Sequence, residues 1–495
     1  MIRVLIASLV VVIPLAATQG QTPSDVRLQI HVDDEKAAAL PCRIHLADEA
    51  GKPQRASGKP FWRDHFVCGG RASVGLRPGK YRYAVERGPE FERLIGEITI
   101  KAGLSETKKL VMKRIADLRR AGWYSGDLHV HRPLRDIELL MRAEDLDFAP
   151  VITWWNKRNN WTESKLPQAG EDERQGGALL FHRMGRPIDI TRATREVPCP
   201  MQFVAAAGKS APGVWIDIEK PFWWDVPVWL ASGKMNSIGL ANNHMCHSRM
   251  LANEAWGKPR DTKRLPPPLG NGFWTQEIYY HILNSGLRLP PSAGSASGVL
   301  PNPVGYNRVY VHLDSKFSPE AWWKALAAGR CFVTNGPLLV VKANDELPGA
   351  VLVGKGAKPT QIRLEVELTT QDGVGKLEII QNGAVAKTIP WTAKRNQKHV
   401  VELPAGQSGW FLVRALADNP KTFRFASTGP FYVEFAKVKR RISRRSSQFF
   451  LDWVNERIGR LRKSVKSEAE LREVLKYHQQ ARAFWTERVS KANAG

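Results

Sequence analysis

Cysteine is scarce: the chain holds five in 495 residues, too few and too odd in number for a disulfide framework to carry the fold. Cys42 and Cys68 fall in one segment, where they form either a disulfide or two buried thiols. Acidic residues are also short, 48 against 73 Lys and Arg, which leaves a net charge of +25. No helix-turn-helix, zinc-finger or RNA-binding signature accompanies that charge, so a nucleic-acid partner is not expected. Part of the excess is confined to residues 437–495, with 16 basic against 6 acidic side chains, and this marks a basic tail rather than a reading surface. Internal repeats and low-complexity tracts are absent. The one long uncharged apolar run is Val4–Ala17, about 14 residues behind Arg3 and ahead of small and polar residues up to Gln21. It is shorter than the roughly 20 residues that cross a bilayer as a helix, and it reads as a signal peptide over residues 1–20 of a secreted or periplasmic protein.

What is present is a chain 43% hydrophobic and 24% charged, long enough for several cores. Residues 24–115 alternate apolar and polar over short runs such as Val26–Val32 and Lys80–Val85, the pattern of a small β domain. Over residues 120–337 strand patterns (Gly126–His131, Phe148–Thr153, Ala178–Phe181, Val214–Ile218, Ile238–Ala241, Val309–Leu313) alternate with helical ones (Leu134–Leu146, Trp274–Asn284, Pro319–Ala328). That alternation predicts an α/β domain with a parallel sheet, open or closed into a barrel, with chemistry at the strand C-termini. In the last of these helices Ser318 is the expected N-cap, with Pro319 in the first helical position. Residues 338–436 return to strands separated by turn signals, as in a β-sandwich. Residues 440–495 are helical, with Phe450, Val454, Ile458, Leu461 and Val465 on one face and a capping box at Ser467 and Glu470. The apolar stripe is expected to pack on the body with the basic face in solvent; contact of that face with an anionic membrane is the alternative.

The segment Asp127-Leu128-His129-Val130-His131 carries the clearest chemistry. Strand alternation would turn Asp127, His129 and His131 to one face, where two imidazoles hold a divalent metal and a carboxylate orients a ligand or takes a proton. Glu219 leaves the apolar run Trp215–Ile218 and needs a partner, so it is a candidate ligand or catalytic group. His244, after the predicted strand ending at Asn242 and Asn243, is a candidate ligand or general base. His182, His247 and Glu173 are further candidates, while Glu171 reads as part of a solvated charged loop. Zn suits a His-rich set, and Mn or Fe suits a mixed His and carboxylate set. Trp154 and Trp155 with Asn156 are candidates for lining a substrate pocket, and Arg308 and Arg330 for neutralising an anion.

The stretch Gly122-Trp123-Tyr124-Ser125-Gly126-Asp127-Leu128-His129-Val130-His131, followed by Gly329-Arg330-Cys331-Phe332-Val333-Thr334-Asn335-Gly336-Pro337, resembles the CehA/McbA-type metallohydrolases of the PHP (polymerase and histidinol phosphatase) superfamily. The resemblance covers roughly residues 120–340. It implies a distorted, seven-stranded βα barrel with a metal cluster at the strand C-termini, and hydrolysis of phosphoester, carbamate or amide bonds. Three motifs depart from the family pattern. Thr153-Trp154-Trp155-Asn156 stands where Thr-Asp-His-Asn is usual, Glu219-Lys220-Pro221 where a His-Pro is usual, and Gly294-Ser295-Ala296-Ser297-Gly298 where Gly-Ser-Asp-x-His would close the site. The expectation is therefore an exported hydrolase with a reduced metal site. Its rival is a barrel that has lost the metal chemistry and binds glycans or other extracellular ligands through Trp154 and Trp155.

Overall fold

A computed structural model describes residues 26–354, 359–391, 396–436, 438 and 440–495. The expected signal segment lies outside the described residues. The chain is a mixed α/β protein, rich in strands, with seven α-helices among the described residues.

In the N-terminal region the strand Val26–Asp33 buries Val26, Leu28, Ile30 and Val32 on one face, as its alternation predicts. It pairs with Arg71–Leu76 and Glu106–Val111 in a three-stranded sheet. A second sheet runs in the order Phe61–Trp62, His65–Cys68, Cys42–Asp48, Gly79–Glu86, Leu94–Ile100, and side chains of both sheets share one core. Cys42 and Cys68 face each other across two strands of this sheet as unbonded thiols, Sγ atoms 3.9 Å apart.

The central sheet has seven strands in the order Arg158–Asn159, Val151–Trp155, Gln168–Arg174, Gly177–His182, Trp215–Ile218, Ser237–Ala241, Pro291–Ala293. It is mixed rather than parallel, because Gln168–Arg174 and Gly177–His182 form an antiparallel hairpin. The charged stretch at residues 171–174 is thus a strand and not the solvated loop expected from its composition. The predicted strand Gly126–His131 is displaced: the strand is Trp123–Gly126, and it belongs to a different, nine-stranded sheet. Residues 127–131 continue between the segments 148–152 and 293–297. On one side the Asp127 amide donates to Phe148 O (3.0 Å) and the Ile152 amide to Val130 O (2.7 Å). On the other the Leu128 amide donates to Ala293 O (3.0 Å) and the His131 amide to Ser297 O (2.7 Å).

The nine-stranded sheet crosses the expected boundary at residue 337, since Cys331–Thr334 pairs antiparallel with Phe425–Thr428. Arg308–His312, expected as a strand of the α/β alternation, lies in this sheet between Trp123–Gly126 and Cys331–Thr334, antiparallel to both. Leu338–Ala343, Thr360–Thr369 and Asn396–Ala405 form a further sheet, and its inner face shares a core with Leu377, Ile379, Phe411 and Phe431.

Helix ends follow their capping chemistry. The Ser318, Ser443 and Ser467 side chains accept from the amides of Ala321, Ser446 and Glu470, opening the helices Pro319–Ala327, Arg444–Ser464 and Glu468–Ser490. The last two helices bury Phe450, Trp453, Val454, Ile458, Leu461 and Trp485 in the same core as the central sheet. The Trp485 indole donates to Pro227 O at 2.9 Å. No helix among the described residues is long and apolar enough to cross a membrane.

Candidate metal centre

Residues 127–131 are pinned at Asp127, whose carboxylate is buried and faces main chain. Its Oδ1 accepts from the amides of His129 and Ser295, each at 3.0 Å, and its Oδ2 from the amide of Gly305 at 2.7 Å. With its acceptors taken by three backbone amides, Asp127 is a clasp for the segment and not the proton carrier or ligand-orienting group expected from alternation. The alternation fails because residues 127–131 are not a regular strand.

The clasp leaves His129 and His131 side by side, with Nε2 atoms 3.0 Å apart. Glu171 meets both: its Oε2 lies 3.5 Å from His129 Nε2 and 3.2 Å from His131 Nε2. All three residues are nearly sealed from solvent, and Glu171 Oε2 has no hydrogen-bond partner of regular geometry. Ligand atoms around a tetrahedral zinc, with bonds of about 2.0–2.1 Å, stand roughly 3.3 Å apart, so this trio already has the spacing of a metal site. An orphaned buried carboxylate oxygen facing two imidazole nitrogens is the donor set that a divalent cation satisfies.

Glu171 comes from the strand Gln168–Arg174, whose alternation sorts its charges. Glu171 and Glu173 fall on one face, while Asp172 pairs with Arg174 at 2.8 Å on the other. Burial alone would raise the Glu171 carboxyl, but the charge of His129 and the close approach of both imidazoles outweigh it and hold the group well below the usual carboxylate range. For His129, burial would lower the imidazole, and Glu171 outweighs it, so its pKa is raised. His131 is lowered, mainly by burial. Glu173, one step further out, is pushed up to about 7 by burial and then by the charges of Glu171 and Glu219.

Glu219 is placed behind the trio rather than in it. Its Oε1 is 3.3 Å from His129 Nδ1 and accepts from Asn243 Nδ2 at 2.7 Å and from the Lys220 ammonium; its Oε2 accepts from the Trp223 indole at 2.9 Å. A carboxylate on the outer nitrogen of a ligating imidazole fixes ring and tautomer. The expectation of Glu219 as a direct ligand is corrected accordingly.

The remaining candidates separate. His244 is buried, with Nδ1 2.9 Å from Asn253 O and its ring against Phe222, and it joins no group of converging ligand atoms among the described residues. Burial lowers it to about 3. His182 is buried beside Trp323, lowered to about 3 by burial, and His247 pairs with Glu86 at 3.3 Å. Trp154 and Trp155 point to opposite faces, as neighbours on a strand must. Trp154 is core, 3% exposed and packed near Phe181, and it does not reach the groove that Trp155 lines. Trp155 packs against His131 with ring centroids 4.8 Å apart and planes tilted by 52°, and it donates to Glu173 Oε2 at 3.1 Å. Arg308 is buried, donating to Gly305 O at 2.6 Å and Glu144 O at 3.1 Å, and does not line the groove beside the trio. Arg330 is exposed and paired with Asp314 at 2.5 Å.

A groove of about 660 Å³ opens beside the trio, lined among others by Trp155, Lys157, Arg158, Glu173, Arg195 and Trp256. Asn156 also lines it but is occupied, its side chain bonded to both the amide (2.8 Å) and the carbonyl (3.0 Å) of Glu173. The sequence signal for Glu171 and Glu173 was the period of two in Glu-Asp-Glu-Arg, legible only once a strand is assumed.

No family model and no curated protein matches this chain. Among solved structures, one described as the Bacillus anthracis TIE protein aligns with 84% of this chain and 50% of its own at 10% identity and a TM-score of 0.14, so this chain spans about half its length. A similarity that low bears on neither fold nor function.

Proposed function

We propose that the protein is an exported, metal-dependent hydrolase whose metal is held by His129, His131 and Glu171, with Glu219 fixing His129 from behind. The observation that carries this reading is the convergence within 3.0–3.5 Å of two neighbouring imidazoles and an orphaned carboxylate oxygen from 40 residues further along the chain, at a largely buried point. The main-chain hydrogen bonds on both sides of residues 127–131 support a central sheet closed through this segment into a distorted barrel, as the family resemblance implies. The apolar run near the N-terminus supports export.

A divalent metal at this trio, Zn or Mn/Fe, supplies Lewis acidity and water activation near neutral pH. The chain's own residues do the rest. Glu219 sets the His129 tautomer so that Nε2 presents its lone pair. Trp155, between His131 and the groove, screens the centre from bulk water and offers a flat apolar face to a substrate. Lys157, Arg158 and Arg195, all exposed on the groove wall, favour an anionic small molecule such as a phosphoester. Glu173 holds a proton-accepting oxygen on the same wall. The rival reading, an aromatic pocket for glycans, loses Trp154 to the core, though Trp155 and Trp256 remain on the groove.

The test is metal content by plasma mass spectrometry on the full chain, with Glu171→Gln and His129→Ala/His131→Ala beside it, followed by phosphoester, carbamate and amide substrates. Loss of one metal equivalent and of all turnover in folded variants is the expected result. Wild type and variants holding the same metal after incubation with Zn or Mn would overturn it.

A further inference from the structure

A second convergence of ligand-type side chains lies in the N-terminal region, outside everything described above. The register that pairs Cys42 with Cys68, Arg43 with Val67 and Ile44 with Phe66 sets His45 opposite His65 one step further on. Trp62 and His65 close a hairpin through the two-residue turn Arg63-Asp64, with Arg63 at φ +53°. The tight turn brings the Asp64 carboxylate back over both imidazoles. Its Oδ1 is 2.9 Å from His65 Nδ1 and its Oδ2 is 3.4 Å from His45 Nδ1, and the ring centroids of the two histidines are 5.1 Å apart.

We propose that His45, Asp64 and His65 form a second divalent-cation site, with Zn²⁺ as the fitting ion, at the contact between the N-terminal hairpin and the central region. One ligand atom from each of the three residues lies within 4.8 Å of the others, close enough to converge on a zinc with bonds of roughly 2.0–2.2 Å. His65 is fully buried at 2% exposure while Asp64 is half exposed at 49%, so the site has a rigid floor and an open side from which an ion and its remaining water ligand enter. Two imidazoles facing one carboxylate is a zinc donor set, whereas a structural Asp–His contact needs only one imidazole.

The position gives the ion a role. His247, from the loop after the strand Ser237–Ala241, stacks on His45 at 5.6 Å and 11°. Trp62 of the same hairpin donates to Leu300 O at 2.8 Å and lies under Arg132, the residue after His131, at 5.4 Å. An ion clamping the hairpin therefore stiffens the surface on which residues 131–132 and 297–300 rest. This inference is independent of the proposed hydrolase centre.

The experiment is a Zn²⁺ titration of metal-stripped full chain, read by bound equivalents and by melting temperature, for wild type, Asp64→Asn, His45→Gln and Glu171→Gln. Asp64→Asn, a change in an exposed turn, and His45→Gln should each bind one equivalent fewer than wild type and lose the part of the Zn²⁺-induced rise in melting temperature that Glu171→Gln retains. Equal stoichiometry in wild type and both hairpin variants would overturn the site, whatever Glu171→Gln does. Failure of the hydrolase centre alone would show as one equivalent in wild type, none in Asp64→Asn and one in Glu171→Gln.

Discussion

At the scale of single residues, the site depends on carboxylates whose roles are set by what they face. Glu219→Gln keeps the shape of the side chain but removes the charge opposite His129 Nδ1. Loss of such an outer partner typically costs metal affinity about 10–100-fold, so Glu219→Gln should weaken Zn²⁺ binding by that factor in competition with a chelator, while Glu171→Gln abolishes it at the same site. Asp127→Asn should leave metal stoichiometry unchanged in the folded fraction and act on stability. Turning one acceptor into a donor against the Gly305 or the Ser295 and His129 amides should cost about 1.5–3 kcal/mol, read as a lower urea midpoint at unchanged slope. The opposite pattern, full stability with metal lost, would restore Asp127 to the chemistry.

Between elements, close approaches set the geometry. The loop after Pro291–Ala293 passes so near residues 127–131 that a Cβ on Gly294 would lie 2.4 Å from His129 Cβ. Gly294→Ala should therefore push His129 off the trio and lower metal affinity, with Gly185→Ala, where a Cβ meets nothing, as the control in the same chelator assay. The C-terminal helices are tied in by a buried ion cluster: Arg457 Nε donates to Asp225 Oδ1 at 2.7 Å, and His478 Nε2 lies 3.3 Å from the same oxygen. Burial alone would raise the Asp225 carboxyl, but the Arg457 charge and the His478 contact outweigh it and hold it well below the usual carboxylate range. A depressed carboxylate contributes stability that is fully present above its unfolded pKa of about 3.9 and is lost as pH falls through the folded value. Wild type should accordingly lose stability below about pH 4, and Asp225→Asn should lack that component. At neutral pH the variant leaves Arg457 with Glu196 alone, 2.7 Å away, and should cost about 1.5–3 kcal/mol in urea unfolding.

On the scale of the whole molecule, the terminal helices are part of the body. Phe450, Trp453, Val454, Leu461 and Trp485 share a core with the helix Val226–Ser232 and the central strands. Deleting residues 440–495 would bare that surface, so the truncated chain should melt lower and aggregate at concentrations where the full chain stays monodisperse by light scattering. The nine-stranded sheet likewise joins Cys331–Thr334 to Phe425–Thr428, so the α/β region and the C-terminal strands should unfold in one transition rather than two by calorimetry.

Local pattern was enough to reveal much of the chain. Period-two alternation marked Val26–Asp33 as a strand, serine caps opened Pro319–Ala327 and Glu468–Ser490, and a helical apolar stripe marked Arg444–Ser464, because these depend on neighbours within a few residues. His129 and His131 stood out for the same reason. Tertiary structure decided the rest. It turned Asp127 to the backbone, moved Glu219 behind His129, sank Trp154 into the core and buried Arg308. It also brought Glu171 from 40 residues away to complete the trio, and His45 to Asp64 and His65. Which atoms meet across such separations is fixed by strand pairing and loop closure, and no pattern along the chain encodes those contacts by itself.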